Sequence, residues 1–364
     1  MLIFEIIVLL NPQIEMRGRA IPKLFFLFCL LVFLVILFLT MLNVEEAEVP
    51  GWEFNVSRNL NHYIHREALT ATMMPQNFCD NPSLLVIMCI SSPSGFEARR
   101  AIRKTWGLEK SIMGHNVSIY FLLGQTTDID VQSKIKNESL EYKDIVQEDF
   151  YDTYNNLSVK SAMMLNLFTL KCQSKASYLL KIDDDIYLNL PKLVDDLVTR
   201  NRTENLLMGS VICGSKPIRS SSDKWYAGPS YLFPYNIYPS YMSGTSYCMS
   251  RDVAKKLLHT ALDTPIFHLE DVYLTGICAK KMGLTLTHNG RFTYHPLKPN
   301  LCLYKPLITI HYQKPEDIEK IYRSARDSEV EKECQKREEV FIVHKWLMDN
   351  VLMVNKTRRK KRCP

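Results

Sequence analysis

The sequence has no internal repeat, no low-complexity tract and no interdomain linker after Asp80. The missing repeat excludes solenoids and propellers, and the missing linker argues against a second globular domain. A strong charge of one sign is absent too, since 45 Lys and Arg residues face 39 Asp and Glu residues, a formal net charge of +6. Part of this excess lies in the basic run at residues 358–362, where a solvated tail is a better interpretation than nucleic-acid binding. We therefore assign residues 81–327 to one domain.

Three consecutive aspartates occupy residues 183–185, directly after the apolar segment 178–182. The apolar segment indicates a buried strand, and Asn189 and Pro191 predict the cap and first turn of a following helix. The apolar face of that helix is predicted from Leu193, Val194, Leu197 and Val198. Adjacent carboxylates repel one another, so a divalent cation would stabilise the cluster, although it could also cap a helix or face water. The sequence thus predicts a ligand site at a strand-to-helix turn of an α/β sheet.

Residues 24–42 contain no charged side chain and, at ~1.5 Å each, reach roughly the ~30 Å of a bilayer core. They predict a transmembrane helix rather than a cleaved signal peptide. Basic residues before this segment and acidic residues after it place residues 1–23 in the cytosol and the rest in the lumen. The mixed residues 43–80 predict a lumenal stem, and residues 328–364 a charged appendage. Whether translation starts at Met1 or Met16 stays open.

Glycosylation sites and cysteines fit a lumenal domain. The Asn-X-Ser/Thr sites are Asn55, Asn116, Asn137, Asn156, Asn201 and Asn355. Nine of the ten cysteines follow the predicted anchor, in a compartment where disulfides persist. Because nine is odd, at least one thiol is free or bonded to another chain. We expect Cys89 to be a core residue and the Asn156 site, at a helix start, to be masked by packing.

Apolar and amphipathic segments alternate along the first half of the domain. Strands are predicted at 84–91, 119–124 and 145–150. Helices are predicted at 96–106, in the amphipathic stretch that follows residue 124 and ends at about 142, and at 156–171. This alternation is typical of a parallel sheet. Further on, we predict a possible strand at 206–213, an aromatic-rich loop at 215–240, and helices at 252–260 and 272–282. The loop tyrosines could stack on sugar rings or cover the edge of a core.

Other charged residues have a structural and a functional interpretation. Glu270 and Asp271 open a predicted helix, and their spacing alone favours capping over a role as general base. His311 could complete a carboxylate site for Mn²⁺, although a structural histidine is the simpler interpretation. The basic residues before Trp106 could face a diphosphate or form a solvated helix face. These are Arg99, Arg100, Arg103 and Lys104.

Six motifs occur in an order typical of one enzyme family. They are Arg-Arg-Ala-Ile-Arg-Lys-Thr-Trp-Gly at 99–107, Phe-Leu-Leu-Gly at 121–124, Glu-Asp-Phe-Tyr-Asp-Thr-Tyr-Asn-Asn-Leu-Ser at 148–158, Lys-Ile-Asp-Asp-Asp at 181–185, Ser-Gly-Thr at 243–245 and Glu-Asp-Val-Tyr at 270–273. With them, the chain resembles the β-1,3-galactosyltransferase and β-1,3-N-acetylglucosaminyltransferase family of Golgi type II membrane glycosyltransferases. The match runs from about residue 84 to 283 and on to His311.

The resemblance implies a GT-A fold, which is an α/β nucleotide-sugar-binding sandwich with a mainly parallel sheet. It also implies a UDP-sugar donor, Mn²⁺ and an inverting displacement. By matching position, it implies that Asp185 and His311 bind the metal and that Asp271 is the catalytic base, contrary to spacing alone. It likewise places Asp183 and Asp184 at the nucleotide and Arg103 near the diphosphate.

The segment 243–245 resembles the galactosyl-transferring branch of the family. Ser246 replaces a glycine that is usual there, so its side chain is expected to intrude near the donor. The expected function is transfer of galactose from UDP-galactose to the 3-hydroxyl of an acceptor glycan on a glycoprotein or glycolipid in the Golgi. Transfer of N-acetylglucosamine, or a catalytically silent glycan-binding protein or chaperone, stays an alternative. The acceptor and the oligomeric state are open.

Overall fold

The structure is a computed structural model that describes residues 21–42, 57–65, 67–228, 233–297 and 300–336. The chain divides into two compact units, Met1–Glu48 and Val49–Pro364. The first unit contains helix α1 (Ile21–Leu42), whose described side chains, at 25–36, are all exposed. Over the described residues, no helix has both the length and the hydropathy needed to cross a membrane. The anchor predicted at 24–42 stays a prediction, and most of the predicted tail lies outside the described residues.

The second unit is built on a nine-stranded sheet. Its strands are β1 (Ala71–Met73), β2 (Ser83–Ile90), β3 (Ser111–Ile112), β4 (His115–Gln125), β5 (Ile145–Tyr151), β6 (Ala176–Asp183), β8 (Leu207–Ile212), β9 (Tyr241–Ser250) and β10 (Thr287–His288), and β7 (Tyr187–Leu188) pairs separately with β11 (Thr309–Ile310). The main order is β1-β5-β4-β2-β6-β9-β8-β10, with β3 beside β4. Pairs β4–β5, β2–β4, β2–β6 and β8–β10 are parallel. The predicted α/β class with a mainly parallel sheet is thus confirmed.

The helices of this unit follow the strands closely. They are α2 (Phe96–Arg103), α3 (Ile129–Tyr142), α4 (Leu157–Leu167), α5 (Leu190–Arg200), α6 (Arg251–Leu262), α7 (Ala279–Lys281), α8 (Leu301–Tyr304), α9 (Pro315–Ser324) and α10 (Ser328–Lys336). Two of the predicted α-helices are partly π-helical, since Phe168–Cys172 continues α4 and Val272–Cys278 precedes α7. Such π turns often occur at functional sites. Gly283, with a φ of 68°, ends the second helix as predicted.

Strand β2 is buried on both faces, which explains its continuous apolar sequence. Val86 and Met88 pack with α4 and α6 on one face, whereas Leu85, Ile87 and Cys89 pack with α2, α3 and α5 on the other. Cys89 is a fully buried free thiol, as predicted. Both faces of the sheet therefore carry a hydrophobic core.

The strand order reverses next to β2, and this reversal positions the site. From β2 the chain builds outward through β4 to β5 and then returns to β6 on the other side of β2. In the parallel β2–β6 pair, Ile90 lies opposite Asp183, so both strands end at the same edge. Open α/β sheets bind ligands in the crevice at such a switch point. The turn at 91–95 and the aspartates therefore lie on either side of this crevice.

Part of the predicted stem belongs to the second unit. Strand β1 pairs with β5, and Leu60, Ile64 and Phe78 are buried in the core. These apolar residues are irregularly spaced, so no periodic pattern marks them, yet they fill the space over α4 and α6. A disulfide between Cys79 and Cys172 fastens this segment to the end of the α4 helix. Residues 43–56 of the stem lie outside the described residues.

The predicted C-terminal appendage also begins within the folded unit. Helix α10 is linked to α8 by a disulfide between Cys302 and Cys334. Residues 337–364 lie outside the described residues.

Two further predictions concern single side chains. Asn156 is buried and donates from Nδ2 to the carbonyl of Tyr151, which fits a glycosylation site masked by packing. Val198 departs from its prediction because its side chain on α5 is exposed.

A buried carboxyl group on β5 should make stability depend on pH. Glu148 is fully buried, and neither of its carboxylate oxygens has a hydrogen-bond partner among the described residues. Burial raises the pKa of Glu148 to about 7. Because the folded-state pKa is raised, the stability contribution is present at acid pH and is lost as the pH rises through about 7. We expect Glu148→Gln to stabilise the protein by about 1–3 kcal/mol at pH 8 and to flatten the pH profile.

Urea unfolding at pH 5 and pH 8 measures this effect, and Glu141→Gln on the exposed side of α3 is the matched control. Equal effects of Glu148→Gln at both pH values would contradict the assignment of a protonated buried carboxyl.

Candidate functional site

The aspartate triplet lies at the turn that follows β6. Asp183 is the last residue of the strand, and Asp184 and Asp185 precede the short strand β7. Asn189 then caps α5, since its side chain accepts a hydrogen bond from the backbone N–H of Lys192. The strand, the cap and the first-turn proline are as predicted from sequence.

His311 lies beside the last aspartate of the triplet. Pairing of β11 with β7 brings the two chain segments together, and His311 Nε2 is 3.3 Å from Asp185 Oδ2. His311 Nδ1 is 3.0 Å from the carbonyl oxygen of Tyr294, so a proton on Nδ1 leaves Nε2 facing the carboxylate. Burial alone would lower the pKa of His311, but the hydrogen bond and charge of Asp185 raise it overall. The structure therefore brings the two predicted metal ligands together.

The local chemistry fits a divalent ion bound by few protein groups. Asp185 Oδ1 is buried and has no hydrogen-bond partner among the described residues. A carboxylate oxygen with an imidazole nitrogen is a ligand pair that suits Mn²⁺. In the described parts of the chain, no group of three or more His, Cys, Asp or Glu side chains is arranged to hold a metal. Remaining coordination positions would thus fall to water and to substrate phosphates.

Asp184 contacts the turn on the other side of the crevice. Burial raises the pKa of Asp184 to about 6, and the neighbouring carboxylates of Asp183 and Asp185 act in the same direction against a hydrogen bond from Ser91. A Cβ atom on Gly95 would lie 2.7 Å from Ser91 Oγ and 3.0 Å from Asp184 Oδ2. Only glycine lets the two segments approach this closely.

The basic residues of α2 are used inside the fold. Arg99 is fully buried and donates to Ser91 Oγ at 2.9 Å, to the carbonyl of Ser92 at 2.7 Å, and to Glu138. Arg103 donates from Nε and Nη2 to Asp144 and from Nη1 to Glu138. These contacts argue against the prediction that Arg103 faces a diphosphate, because its guanidinium is already paired with two acidic side chains.

Lys181 connects the triplet to the second acidic site. Its buried Nζ donates to Asp183 Oδ1 and to the carbonyl oxygen of Gly244 on β9. Burial opposes the charged amine, but the carboxylates of Asp183, Glu270 and Asp271 raise the pKa of Lys181 well above its ordinary value. All three carboxylates are thus within electrostatic reach of one ammonium group.

Glu270 and Asp271 have different surroundings. Glu270 is buried and accepts a hydrogen bond from the hydroxyl of Tyr247, and burial raises its pKa to about 7. Asp271 is only partly buried, and it accepts from the backbone N–H of Val272 at 2.8 Å and of Gly244 at 3.2 Å. Burial raises the pKa of Asp271 against these hydrogen bonds. Of the pair, Asp271 is the carboxylate that a substrate can reach.

Ser246 does not intrude as expected. It is 1% exposed, and its hydroxyl lies 3.4 Å from Thr309 Oγ1 in the interior between β9 and β11. Side chains alternate between the two faces of a strand, so residues 244 and 246 of β9 belong to the same face. At Ser246 this face is covered by β11. The expectation of a side chain near the donor is therefore wrong.

Gly244 is packed tightly against Asp271. A Cβ atom at this position would lie 3.2 Å from Asp271 Cβ and 3.3 Å from its Oδ2. We expect Gly244→Ala to displace the carboxylate by a few tenths of an ångström and to lower kcat by about tenfold, with a small change in stability. Steady-state kinetics and thermal unfolding measure the two effects. Gly209→Ala on the adjacent β8 is the control, because a Cβ atom there would also be crowded, with its nearest atom at 3.1 Å, but would not contact Asp271. An equal loss of kcat in both variants would contradict the prediction.

Sequence reasoning missed the role of Lys181, although a signal was present. A lysine inside the apolar segment 178–182 must either break the strand or find buried acidic partners. The acidic residues at 183 and 270–271 are those partners, but only the β6–β9 pairing shows that they meet.

Comparison with known proteins gives a consistent result. A family model described as Galactosyltransferase matches residues 97–290. Beta-1,3-galactosyltransferase 1 of Mus musculus and of Homo sapiens is 38% identical over 250 residues, which cover 68% of this chain and 75% of theirs. Human beta-1,3-galactosyltransferase 5 is 30% identical over 270 residues, covering 73% of this chain and 86% of its own. The solved apo structure of the WbbM bifunctional glycosyltransferase aligns at a TM-score of 0.36 and 11% identity, covering 72% of this chain and 51% of that one.

Proposed function

Because this chain belongs to the β-1,3-galactosyltransferase family and is thus a glycosyltransferase, we propose that it transfers galactose from UDP-galactose to the 3-hydroxyl of an acceptor glycan, on a GT-A type fold. The observation that supports this most is the contact chain from Asp183 through Lys181 and Gly244 to Asp271. These contacts link the acidic turn to the second carboxylate through one lysine and one residue of β9. A donor bound at the turn would therefore lie within reach of the group that activates the acceptor.

The donor part of the proposed site uses the triplet and His311. Asp185 and His311 would hold Mn²⁺, which, when bound, offsets negative charge on the diphosphate and on the departing UDP. Asp183 and Asp184 would line the nucleotide side, and Lys181 holds Asp183 in place while its charge opposes the rise that burial causes in the pKa of Asp183. The orphaned Asp185 Oδ1 supports this assignment, because a buried carboxylate oxygen without a partner is costly.

At the acceptor end, Asp271 acts as general base. It takes the proton of the 3-hydroxyl while that oxygen bonds to the anomeric carbon and the bond to UDP breaks, which inverts the configuration. The raised pKa makes Asp271 a stronger base than an exposed aspartate, and its two backbone donors fix its orientation. No covalent intermediate is needed.

We further propose a type II Golgi membrane protein with its anchor at residues 24–42. The support is the uncharged run of 19 residues between 24 and 42, the basic residues before it and the disulfides of the domain after it. Expression of the full chain followed by alkaline carbonate extraction tests the anchor, because an anchored protein stays in the membrane pellet.

The function is tested with the purified full chain in detergent. UDP release is measured with Mn²⁺ and, in turn, UDP-galactose, UDP-N-acetylglucosamine and UDP-glucose, with and without acceptor glycans. We expect acceptor-stimulated release from UDP-galactose, lost on chelation and restored by Mn²⁺. Release from UDP-N-acetylglucosamine alone would reject the donor assignment, and no release from any donor would favour a silent glycan-binding protein.

A further inference from the structure

Residues 91–95, which we call the crevice turn, join β2 to α2 and form the wall of the crevice opposite the aspartates. Ser92 and Ser94 are exposed, whereas Ser91 is buried. Over the described part of the chain, the backbone N–H groups of Ser92 and Ser94 donate to no protein acceptor. The crevice turn therefore offers two backbone donors and two hydroxyl groups on its exposed side.

The carbonyl groups of the crevice turn are held from inside the fold. Lys160 Nζ donates to the carbonyl oxygen of Ser91 at 2.7 Å. Arg99 donates to the carbonyl oxygen of Ser92 at 2.7 Å and to that of Pro93 at 3.3 Å. Three consecutive carbonyl groups are thus occupied by cationic side chains, which leaves mainly hydrogen-bond donors for a ligand.

The two cations reach the crevice turn from opposite faces of the sheet. Arg99 lies on α2, which packs on one face, and Lys160 lies on α4, which packs on the other. Their side chains are almost completely buried. The turn is therefore fastened from both sides, and a contact to either face alone would leave it free to tilt.

Each cation is also paired with a buried or nearly buried carboxylate. Arg99 donates from Nε and Nη2 to Glu138 on α3, at 2.9 and 2.7 Å. Lys160 Nζ donates to Asp152 Oδ2 at 2.7 Å, and the same oxygen accepts from the backbone N–H of Gly124 at 2.8 Å. Because both cations are buried and paired, neither can reach a ligand directly, and each can act only through the turn.

The exposed side of the crevice turn suits a ligand that is rich in hydrogen-bond acceptors. Backbone N–H groups of turns bind phosphate oxygens in many proteins, and a uracil ring adds two carbonyl acceptors. A nucleoside diphosphate carries both kinds of acceptor. A turn whose own carbonyl groups faced the crevice would repel the same oxygens.

We propose that Arg99 and Lys160 are positioning residues for the donor nucleotide. They hold the carbonyl groups of the crevice turn, so that its N–H and hydroxyl groups face UDP, and neither side chain touches the donor. This inference rests on the proposed function, which supplies UDP as the ligand of the crevice.

The main test removes each ion pair as a whole, so that no buried charge is left without a partner. One double variant is Arg99→Met with Glu138→Gln, and the other is Lys160→Met with Asp152→Asn. We expect each of them, as the full chain in detergent with Mn²⁺, to raise the Kd for UDP about tenfold, because the misplaced turn loses hydrogen bonds to the nucleotide. Isothermal titration calorimetry measures the Kd.

Kinetics separate positioning from a general loss of structure. In both double variants the KM for UDP-galactose should rise about tenfold, whereas kcat and the KM for the acceptor should change by less than about twofold. Uridine is titrated beside UDP to find which part of the nucleotide meets the turn. A matching loss for uridine assigns the turn to the nucleoside, a loss for UDP alone assigns it to the diphosphate, and either result supports the proposal.

Arg103→Met with Asp144→Asn is the matched control. This ion pair also belongs to α2 and is largely buried, but Arg103 donates to Asp144 and Glu138 instead of the crevice turn. We expect its Kd for UDP to stay within about twofold of the unchanged protein. An equal rise in all three double variants would overturn the assignment to the turn, because packing of α2 would then explain the loss.

Arg99→Lys provides a variant that keeps the buried charge, in case a double variant fails to fold. Lysine still pairs with Glu138, but one ammonium group cannot replace the guanidinium fork that reaches Ser92 and Pro93 together. We expect the Kd for UDP to rise at least about threefold. A folded Arg99→Lys protein that binds UDP as tightly as the unchanged chain would overturn the proposal.

The outcomes separate this inference from the proposed function. If the unchanged protein transfers galactose and the variants of Arg99 and Lys160 bind UDP normally, the inference fails and the proposed function stands. If the unchanged protein binds UDP but transfers no sugar, the proposed function fails, and a weaker Kd in the variants still supports the positioning role. If it binds no UDP at all, both fail.

Discussion

Replacing Asp271 by asparagine should lower galactose transfer by about a thousandfold, within the usual range for loss of a general base. Asparagine has the same shape, and its amide oxygen can still accept a hydrogen bond from the backbone N–H of Gly244 or Val272. The fold should therefore survive while the proton acceptor is lost. The measurements are kcat/KM for UDP-galactose with a saturating acceptor and the melting temperature.

The neighbouring carboxyl group supplies the control for this experiment. Glu270→Gln keeps an acceptor for the Tyr247 hydroxyl and should reduce transfer by less than about tenfold, because Glu270 is too buried to reach a substrate. A large loss in Glu270→Gln together with an active Asp271→Asn would assign the base to Glu270 instead.

The raised pKa of Asp271 also predicts how galactose transfer depends on pH. A base must be ionised to act, so transfer should fall as the pH is lowered through the pKa of Asp271. Since burial raises that pKa, the fall should occur at a higher pH than for an exposed aspartate. A profile of kcat/KM between pH 4 and pH 8 shows whether it does.

Replacing Lys181 by methionine should produce the largest loss of stability, about 3–5 kcal/mol. Methionine fills a similar volume, but Asp183, Glu270 and Asp271 would then lie in a poorly solvated pocket without their shared cation. The remaining carboxylates repel one another, so the fold must either take up protons or admit water. Urea unfolding at pH 7.5 measures the loss.

The pH dependence of that loss identifies its cause. Without Lys181 the carboxyl groups have raised folded-state pKa values, so stability should be regained as the pH falls toward 5 and lost as it rises. Lys256→Met is the matched control, because Lys256 pairs with Asp252 at an exposed site and should change stability by less than about 0.5 kcal/mol. An equal loss for Lys181→Met at pH 5 and pH 7.5 would show that packing, not charge, is responsible.

Local patterns in the sequence predicted most elements of the sheet. The apolar segment at 84–91 became β2 within one residue at each end, because a strand buried on both faces must be continuously apolar. The segment at 145–150 became β5 with the same accuracy, although its middle carries Gln147, Glu148 and Asp149. Asn189 and Gly283 marked helix ends correctly, since capping depends on residues only a few positions apart. The stem was assigned less well because its buried residues follow no period.

Predictions about individual side chains were less accurate where the contacting residue lies far away in the sequence. Arg103 was placed near the diphosphate by its motif, but its guanidinium pairs with Glu138 and Asp144, which lie 35 and 41 residues away. Ser246 was expected to approach the donor, but β11 covers it. Neither partner could be read from the neighbouring sequence.

The sequence by itself determined the family, the α/β class, the position of the acidic turn and the choice of Asp185, His311 and Asp271 as the residues to inspect. Only the tertiary structure decided which of these groups lie next to one another. The reason is physical: Lys181 meets Gly244 through strand pairing, and His311 meets Asp185 through another pairing, across long stretches of chain. Burial, which sets how readily each carboxyl group holds a proton, is likewise a property of the folded chain alone.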